Sequence, residues 1–304
     1  MASKLCLQLF LLFAFITPHL TSARHLRNHK PSRLLFPEHL IGSRKNDNFE
    51  GIHKVKAYLQ RYGYLSDEKE NNLSTDAFDD DLESAIKSYQ KVFKLNVSGV
   101  LDRETLQQMA RPRCGVTDDF ILVAQQDHEN NNTNIEIGGS HYMFYPNKLK
   151  WPVEKRHLTY GFIHNYPPEH AAAVIRAFDT WEANTKFTFS HAARVQTADI
   201  LLSFERGDHG DGKPFDGPGG ALGHAFGAID GRVHFDGDEQ WETGSFWQEY
   251  FDVESVALHE IGHALGLGHS REPSAVMWAN MDSGVTKTHL TIDDIEGIHA
   301  LYGP

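Results

Sequence analysis

The sequence predicts an α+β chain: a small helical domain, then a larger domain whose strands and helices form a mixed layer. Three observations point there. Apolar residues recur at helical spacing in three stretches between residues 49 and 109. A polar stretch, Gln125 to Asn134, is rich in asparagine and charge and marks an exposed boundary. Beyond it, strand-like runs come early and are interleaved with helical ones.

The elements follow in order. Lys4 precedes an apolar run from Leu5 to Ile16, and Thr21-Ser22-Ala23 supplies small residues for cleavage. The run is too short to span a bilayer, so residues 1–23 read as a secretory signal peptide. Residues 24 to about 47 are basic, polar and without period, a flexible lead. From Phe49 the spacing becomes helical: Ile52, Val55, Tyr58, Leu59 and Tyr62 share a face, and Gly63 stops it. A second helix runs from about Asp79 to Phe93 on the stripe Leu82, Ile86, Tyr89 and Phe93, with acidic residues at its start as the helix dipole favours. Asn96 to Gly99 makes a turn, and a short third helix covers Arg103 to Met109. These three build a domain over residues 48–110. Residues 111–118 hold too much Pro and Gly for a helix.

The second half begins near Trp151. His157 to His164 reads as a strand. Pro168 opens a helix to about Asn184, with Val174, Ile175, Phe178 and Trp181 facing in. Phe187 to Ser190 and Asp199 to Glu205 read as strands, residues 207–223 as a Gly- and Asp-rich loop, and Arg232 to Phe235 as a short strand. Asp252 caps a helix that buries Val253, Val256, Ala257, Ile261, Ala264 and Leu265. Thr291, with Asp294 three residues on, caps a last helix packed through Ile292, Ile295 and Leu301.

Composition narrows the function. There are 29 Lys+Arg against 41 Asp+Glu, a net charge of −12. That argues against nucleic acid and anionic membranes and suits acidic, cation-binding loops. No later stretch is long enough to cross a membrane, and the end at Gly303-Pro304 carries no hydrophobic tail for a lipid anchor. A secreted, unanchored monomer is the expectation. Sequons at Asn72, Asn96 and Asn131 are glycosylation candidates in that setting. Cys6 leaves with the signal peptide, so Cys114 is an unpaired thiol in an oxidising compartment.

The chemistry is concentrated in His259 to His269, H-E-I-G-H-A-L-G-L-G-H. His259 and His263 lie one helical turn apart on one face and can share a metal ion. Glu260 can reach a water on that metal without being a ligand. Gly266 ends the helix, because glycine enters left-handed conformations readily, and the chain can then return His269 as a third nitrogen. Three imidazoles with one open position describe a catalytic zinc site; a structural site is closed by four protein ligands.

These residues, followed by Ser270 and with Met277 downstream, resemble the matrixins, the matrix metalloproteinases of the metzincin clan. The resemblance spans most of the chain. It implies a peptidoglycan-binding-like helical prodomain within a propeptide over residues 24–147, then a catalytic domain over 148–304 with a twisted mixed sheet and three helices. Pro112-Arg113-Cys114-Gly115 with Asp118 resembles the family's cysteine switch over residues 111–118, in which Cys114 would bind the catalytic zinc and Arg113 pair with Asp118. Thr117 stands where the family usually has proline. His209, Asp211, His224 and His234 match the family's structural zinc ligands, and Asp216, Gly217, Gly219, Ala221, Asp236 and Glu239 match a calcium site. A second family calcium site would use an Asp where this chain has Arg232, although Asp199 is present. Met277 matches the Met-turn, but Trp278 and Ala279 replace the family's tyrosine and proline. With no hemopexin-like domain following, the chain looks like a minimal, plant-type member.

The implied activity is a secreted zinc endopeptidase, latent until activated, acting on extracellular-matrix or cell-wall proteins with Glu260 as general base. An extended polypeptide would lie along the strand edge near Ala221 to His224. Two rivals stand beside it: a catalytically silent zinc-binding protein, and a module binding cell-wall or matrix polymers through its helical half.

Overall fold

The computed structural model describes residues 35–66, 73–118, 141–145, 148–163, 166–244 and 248–304. The expected signal peptide, the polar boundary at 125–134, His164, and the sequons at Asn72 and Asn131 lie outside them. Asn96 is described and exposed. The described residues belong to one compact unit, Ser32–Pro304.

The three expected helices form: α1 (Ile52–Arg61), α2 (Asp80–Val92) and α3 (Arg103–Met109). Their apolar stripes meet in a core that includes Ile52, Val55, Leu59, Leu82, Ile86 and Leu106. Caps set the starts of the second and third. The Asp79 carboxylate accepts from the Leu82 amide at 2.9 Å, and that of Asp102 from the Thr105 amide at 2.8 Å. Asp79 also accepts from the buried Lys56 ammonium at 2.7 Å. Between α2 and α3, buried Gln90 accepts from the Ser98 and Gly99 amides and donates to Val100 and Thr105. That side chain replaces the ladder the turn lacks.

Among the described residues, the rest of the chain is built around a six-stranded mixed sheet that carries three helices. Its strands are β1 (Arg113–Cys114), β2 (His157–Phe162), β3 (Thr188–His191), β4 (Ile200–Glu205), β5 (Ala221–Ala225) and β6 (Arg232–Asp236), in the order β1-β5-β6-β4-β2-β3. All neighbours are parallel except β5 and β6. The helices are α4 (Ala171–Ala183), α5 (Val253–Ala264) and α6 (Ile292–Tyr302). Helices α4 and α5 pack together, and the indole of Trp181 donates to the Leu258 carbonyl at 2.9 Å. Their apolar faces and the sheet enclose the main core.

Several expectations need correction. Ile175 does not face in; it is exposed, because Ala173, Val174, Ala177, Phe178 and Trp181 complete the inward stripe one position away. Ile292 is 76% exposed at the first position of α6, where Ile298 and Gly297 face the core instead. The loop expected to 223 ends at 220, because β5 begins at Ala221. A parallel pair of two-residue strands, β7 (Trp241–Glu242) and β8 (Phe251–Asp252), was not anticipated, being too short to show a period. Among the described residues no helix is long and apolar enough to cross a membrane.

Candidate metal centres and active site

Helix α5 is buried on every side, so its histidines sit inside the protein. Asp252 caps its start through the Ser255 amide at 2.9 Å, and Gly266 (φ 104°) lets the chain turn directly after it. A Cβ at Gly266 would lie 2.4 Å from the Leu149 carbonyl oxygen, so that turn admits glycine alone. The return brings His269 beside His259 and His263, with Cys114 of β1 as the fourth member. One ligand atom from each of the four lies within 4.8 Å of the others. His263 Nε2 is 3.1 Å from His259 Nε2 and 3.5 Å from Cys114 Sγ.

The opposite ring nitrogens are fixed. His259 Nδ1 donates to the Val276 carbonyl at 2.7 Å and His263 Nδ1 to that of Leu267 at 2.8 Å. A carbonyl can only accept, so each Nε2 is left with its lone pair facing the cluster. His269 Nδ1 bonds Asp118 Oδ1 at 2.8 Å. Burial, followed by repulsion from its neighbours, holds both helix imidazoles well below their usual range and keeps them neutral. Three imidazole nitrogens and a sulfur fit a zinc ion.

Glu260 is fully buried, and the polar group beside its carboxyl is the Cys114 thiol. Burial pushes it up to about 8, with the nearby Cys114 thiol pulling the other way. Its carboxylate lies against β5: a Cβ at Gly223 would come within 3.3 Å of Glu260 Oε1. A buried carboxyl with a raised pKa beside a cluster of metal-ligand side chains suits proton transfer.

Met277 is buried and packs against α5 at Gly262. A Cβ at Gly262 would fall 2.4 Å from Met277 Sδ and 3.0 Å from the Trp181 ring, so a larger residue there would require the methionine side chain to shift. Asp294 explains how the turn is held. Besides closing the capping box of α6, its carboxylate accepts from the Val276 and Met277 amides at 3.0 Å each. Sequence reading saw only the cap.

Residues 111–118 are braced by an Arg113–Asp118 pair although Thr117 stands between them. Buried Arg113 donates to both Asp118 oxygens at 2.9 Å and stacks 3.8 Å over the Tyr62 ring. The Tyr64 hydroxyl donates to Asp118 at 2.8 Å. Neither the tyrosines nor the Asp118–His269 contact left a signal in the sequence, since each joins residues distant along the chain. The edge of β5 near Ala221 to His224 is occupied by the chain itself, through β1 running parallel to it.

The second expected group also assembles. His209 Nε2, His224 Nε2 and His234 Nδ1 lie 2.8, 2.8 and 3.0 Å from Asp211 Oδ2. Burial lowers His224 to about 3, leaving it neutral, while Asp211 stays ionised. A His₃Asp set of this kind can close a tetrahedral site.

The calcium candidates are less gathered. Asp216 accepts from the Ala221 amide at 2.9 Å and Glu239 from that of Gly219 at 2.6 Å. Asp236 Oδ2 is buried without a partner. Burial raises Asp236 and Glu239, the latter to about 7, and the mutual repulsion of these carboxylates adds to it. Gly217 and Gly219 both take positive φ in the turn between them. The second site's residues serve other ends. Arg232 pairs with Asp230 and lies 3.9 Å over Phe226, and Asp199 accepts from Lys155 and Thr159.

Residues 150–303 match the family described as Matrixin, and residues 50–109 match a putative peptidoglycan binding domain. The chain is 42% identical to metalloendoproteinase 5-MMP of Arabidopsis thaliana, over 87% of its own length and 74% of that protein's. It is 42% identical to metalloendoproteinase 1 of Glycine max, over 84% and 83%. It is 38% identical to the interstitial collagenase of Oryctolagus cuniculus, over 84% of this chain and 50% of that one.

Proposed function

The chain belongs to the matrixin family and is a zinc metalloendopeptidase, and from that premise we propose that it is secreted in a latent form and cleaves extended polypeptides of the extracellular matrix or cell wall. One observation carries the latency: Cys114 lies 3.5 Å from His263 Nε2, inside the histidine cluster. His259, His263 and His269 would hold the catalytic zinc, with Cys114 as its fourth ligand until residues 24–147 are removed. When bound, the zinc supplies Lewis acidity for the scissile carbonyl and for the attacking water.

The chain's own residues do the rest. Glu260 accepts the proton of the attacking water and returns it to the departing amine. Burial raises its pKa, which favours its holding the proton between the two steps. Release of β1 frees the edge of β5, where a substrate backbone can bond whatever its sequence. His209, Asp211, His224 and His234 would hold a structural zinc, and Asp216, Asp236 and Glu239 with the carbonyls of Gly217, Gly219 and Ala221 a calcium ion. Asn72, Asn96 and Asn131 would carry glycans.

Two variants of the full chain test the reading. Glu260→Ala should retain zinc by elemental analysis yet cleave no peptide after mercurial treatment. Cys114→Ser should cleave casein without any treatment. Full turnover by the first, or a latent second variant, refutes the corresponding role. The match of residues 50–109 to a putative peptidoglycan binding domain favours an added hold on wall polymers, which pull-down of the intact chain on such polymers would reveal.

A further inference from the structure

The segment before Gly115 lies between two walls. On one side the Arg113 amide donates to the Gly220 carbonyl at 3.0 Å and that of Gly115 to Gly223 at 2.7 Å. On the other, Cys114 donates to Ala279 at 2.8 Å and Met281 to Pro112 at 3.1 Å. Main-chain bonding of this kind accepts many sequences, so choice among them must come from side chains on the walls. One side chain of the segment does engage a wall by charge. Arg111 Nε and Nη2 meet Asp282 Oδ1 and Oδ2 at 3.1 and 2.8 Å. Two parallel bonds match the fork of a guanidinium better than the single point of an ammonium.

Resting on the endopeptidase reading, we propose that Asp282 selects an arginine side chain of the polypeptide substrate about three residues from the cleaved bond, and that Arg111 holds that place in the intact chain. The spacing is that of Arg111 from Cys114, whose sulfur marks the metal cluster. Beside Asp282 lies a cavity of about 300 Å³, walled on the sheet side by Trp278, Met281 and Val285 and closed by Phe93 and Arg111 from the helical region. Removing that region opens the cavity and withdraws the cation. The apolar wall can then seat an arginine stem while Asp282 takes the head. Lys287 also lines this cavity, but its ammonium is turned to the Pro273 and Ala275 carbonyls at 2.9 and 2.7 Å.

The test uses the full chain, activated by a mercurial, and fluorogenic peptides with Arg, Lys, Gln or Glu at the third position on either side of the cleaved bond. Arg should exceed Gln by about fivefold to tenfold in kcat/KM on one side, as expected of a half-exposed bidentate pair. The gain should lie in KM, Lys should gain less, and Asp282→Asn should bring the ratio near one. A ratio near one in the unaltered protein, or one that persists in Asp282→Asn, overturns the proposal. Cleavage of no peptide at all would instead sink the endopeptidase reading. The subsite is then read by binding of a labelled peptide with the sequence of residues 110–116, against its Arg111→Gln form. A tighter arginine form supports Asp282's role, and equal affinities overturn it.

Discussion

Gly262 shows how much one residue can depend on tertiary structure. It sits in the middle of α5, where glycine is a poor helix former. Around it Met277 and Trp181 leave little room, with an added Cβ meeting the Met277 sulfur at 2.4 Å and the Trp181 ring at 3.0 Å. Gly262→Ala should therefore lower stability by about 2 kcal/mol, since overpacking a tight core forces neighbours off their rotamers. Thermal unfolding of the full chain checks this, and an unchanged midpoint would count against the packing account. The same dependence holds for Glu260, whose buried carboxyl beside Cys114 costs stability and suits a site that moves protons.

Among the elements, α2 offers the clearest energetic case. Asp79 caps it and also holds the buried Lys56 ammonium. Burial opposes its ionisation, but the Lys56 ammonium and the Leu82 amide outweigh that and hold its carboxyl below the usual range. A folded pKa below the unfolded value adds stability that is complete above about pH 4 and is lost as pH falls through the folded value. Asp79→Asn keeps an oxygen for the cap but removes a charge partner of the buried Lys56 ammonium. It should cost about 1–3 kcal/mol at neutral pH and flatten the acid side of the stability profile. Circular dichroism melts between pH 3 and 7 would show this; parallel profiles for the two proteins would remove Asp79 from the account.

Across the whole molecule, two donor groups tie distant segments together. One joins β1, α5 and the loop after it; the other joins the 207–220 loop to β5 and β6. An ion binding only the folded state adds to its stability by mass action. A chelator should lower the thermal midpoint of the intact chain by roughly 5–10 °C, a few kcal/mol at about 2–4 °C each. Zinc alone should restore it. A midpoint indifferent to chelator would show that neither group holds a metal in solution.

Much was legible along the chain because it is local. The helices declare themselves by spacing and caps, and the His259–His269 run fits a metal because one helical turn and one glycine fix its geometry. The ligand sets at His209, Asp211, His224 and His234 needed the family resemblance, since their spacing alone is weak, and the fold then drew them onto one carboxylate oxygen. What no local rule could supply is contact between residues far apart in sequence: Asp118 on His269, Asp294 under Met277, Arg111 on Asp282, and β1 along β5. Those depend on which faces pack, and packing is settled only when the helical region and the sheet are brought together in one compact unit.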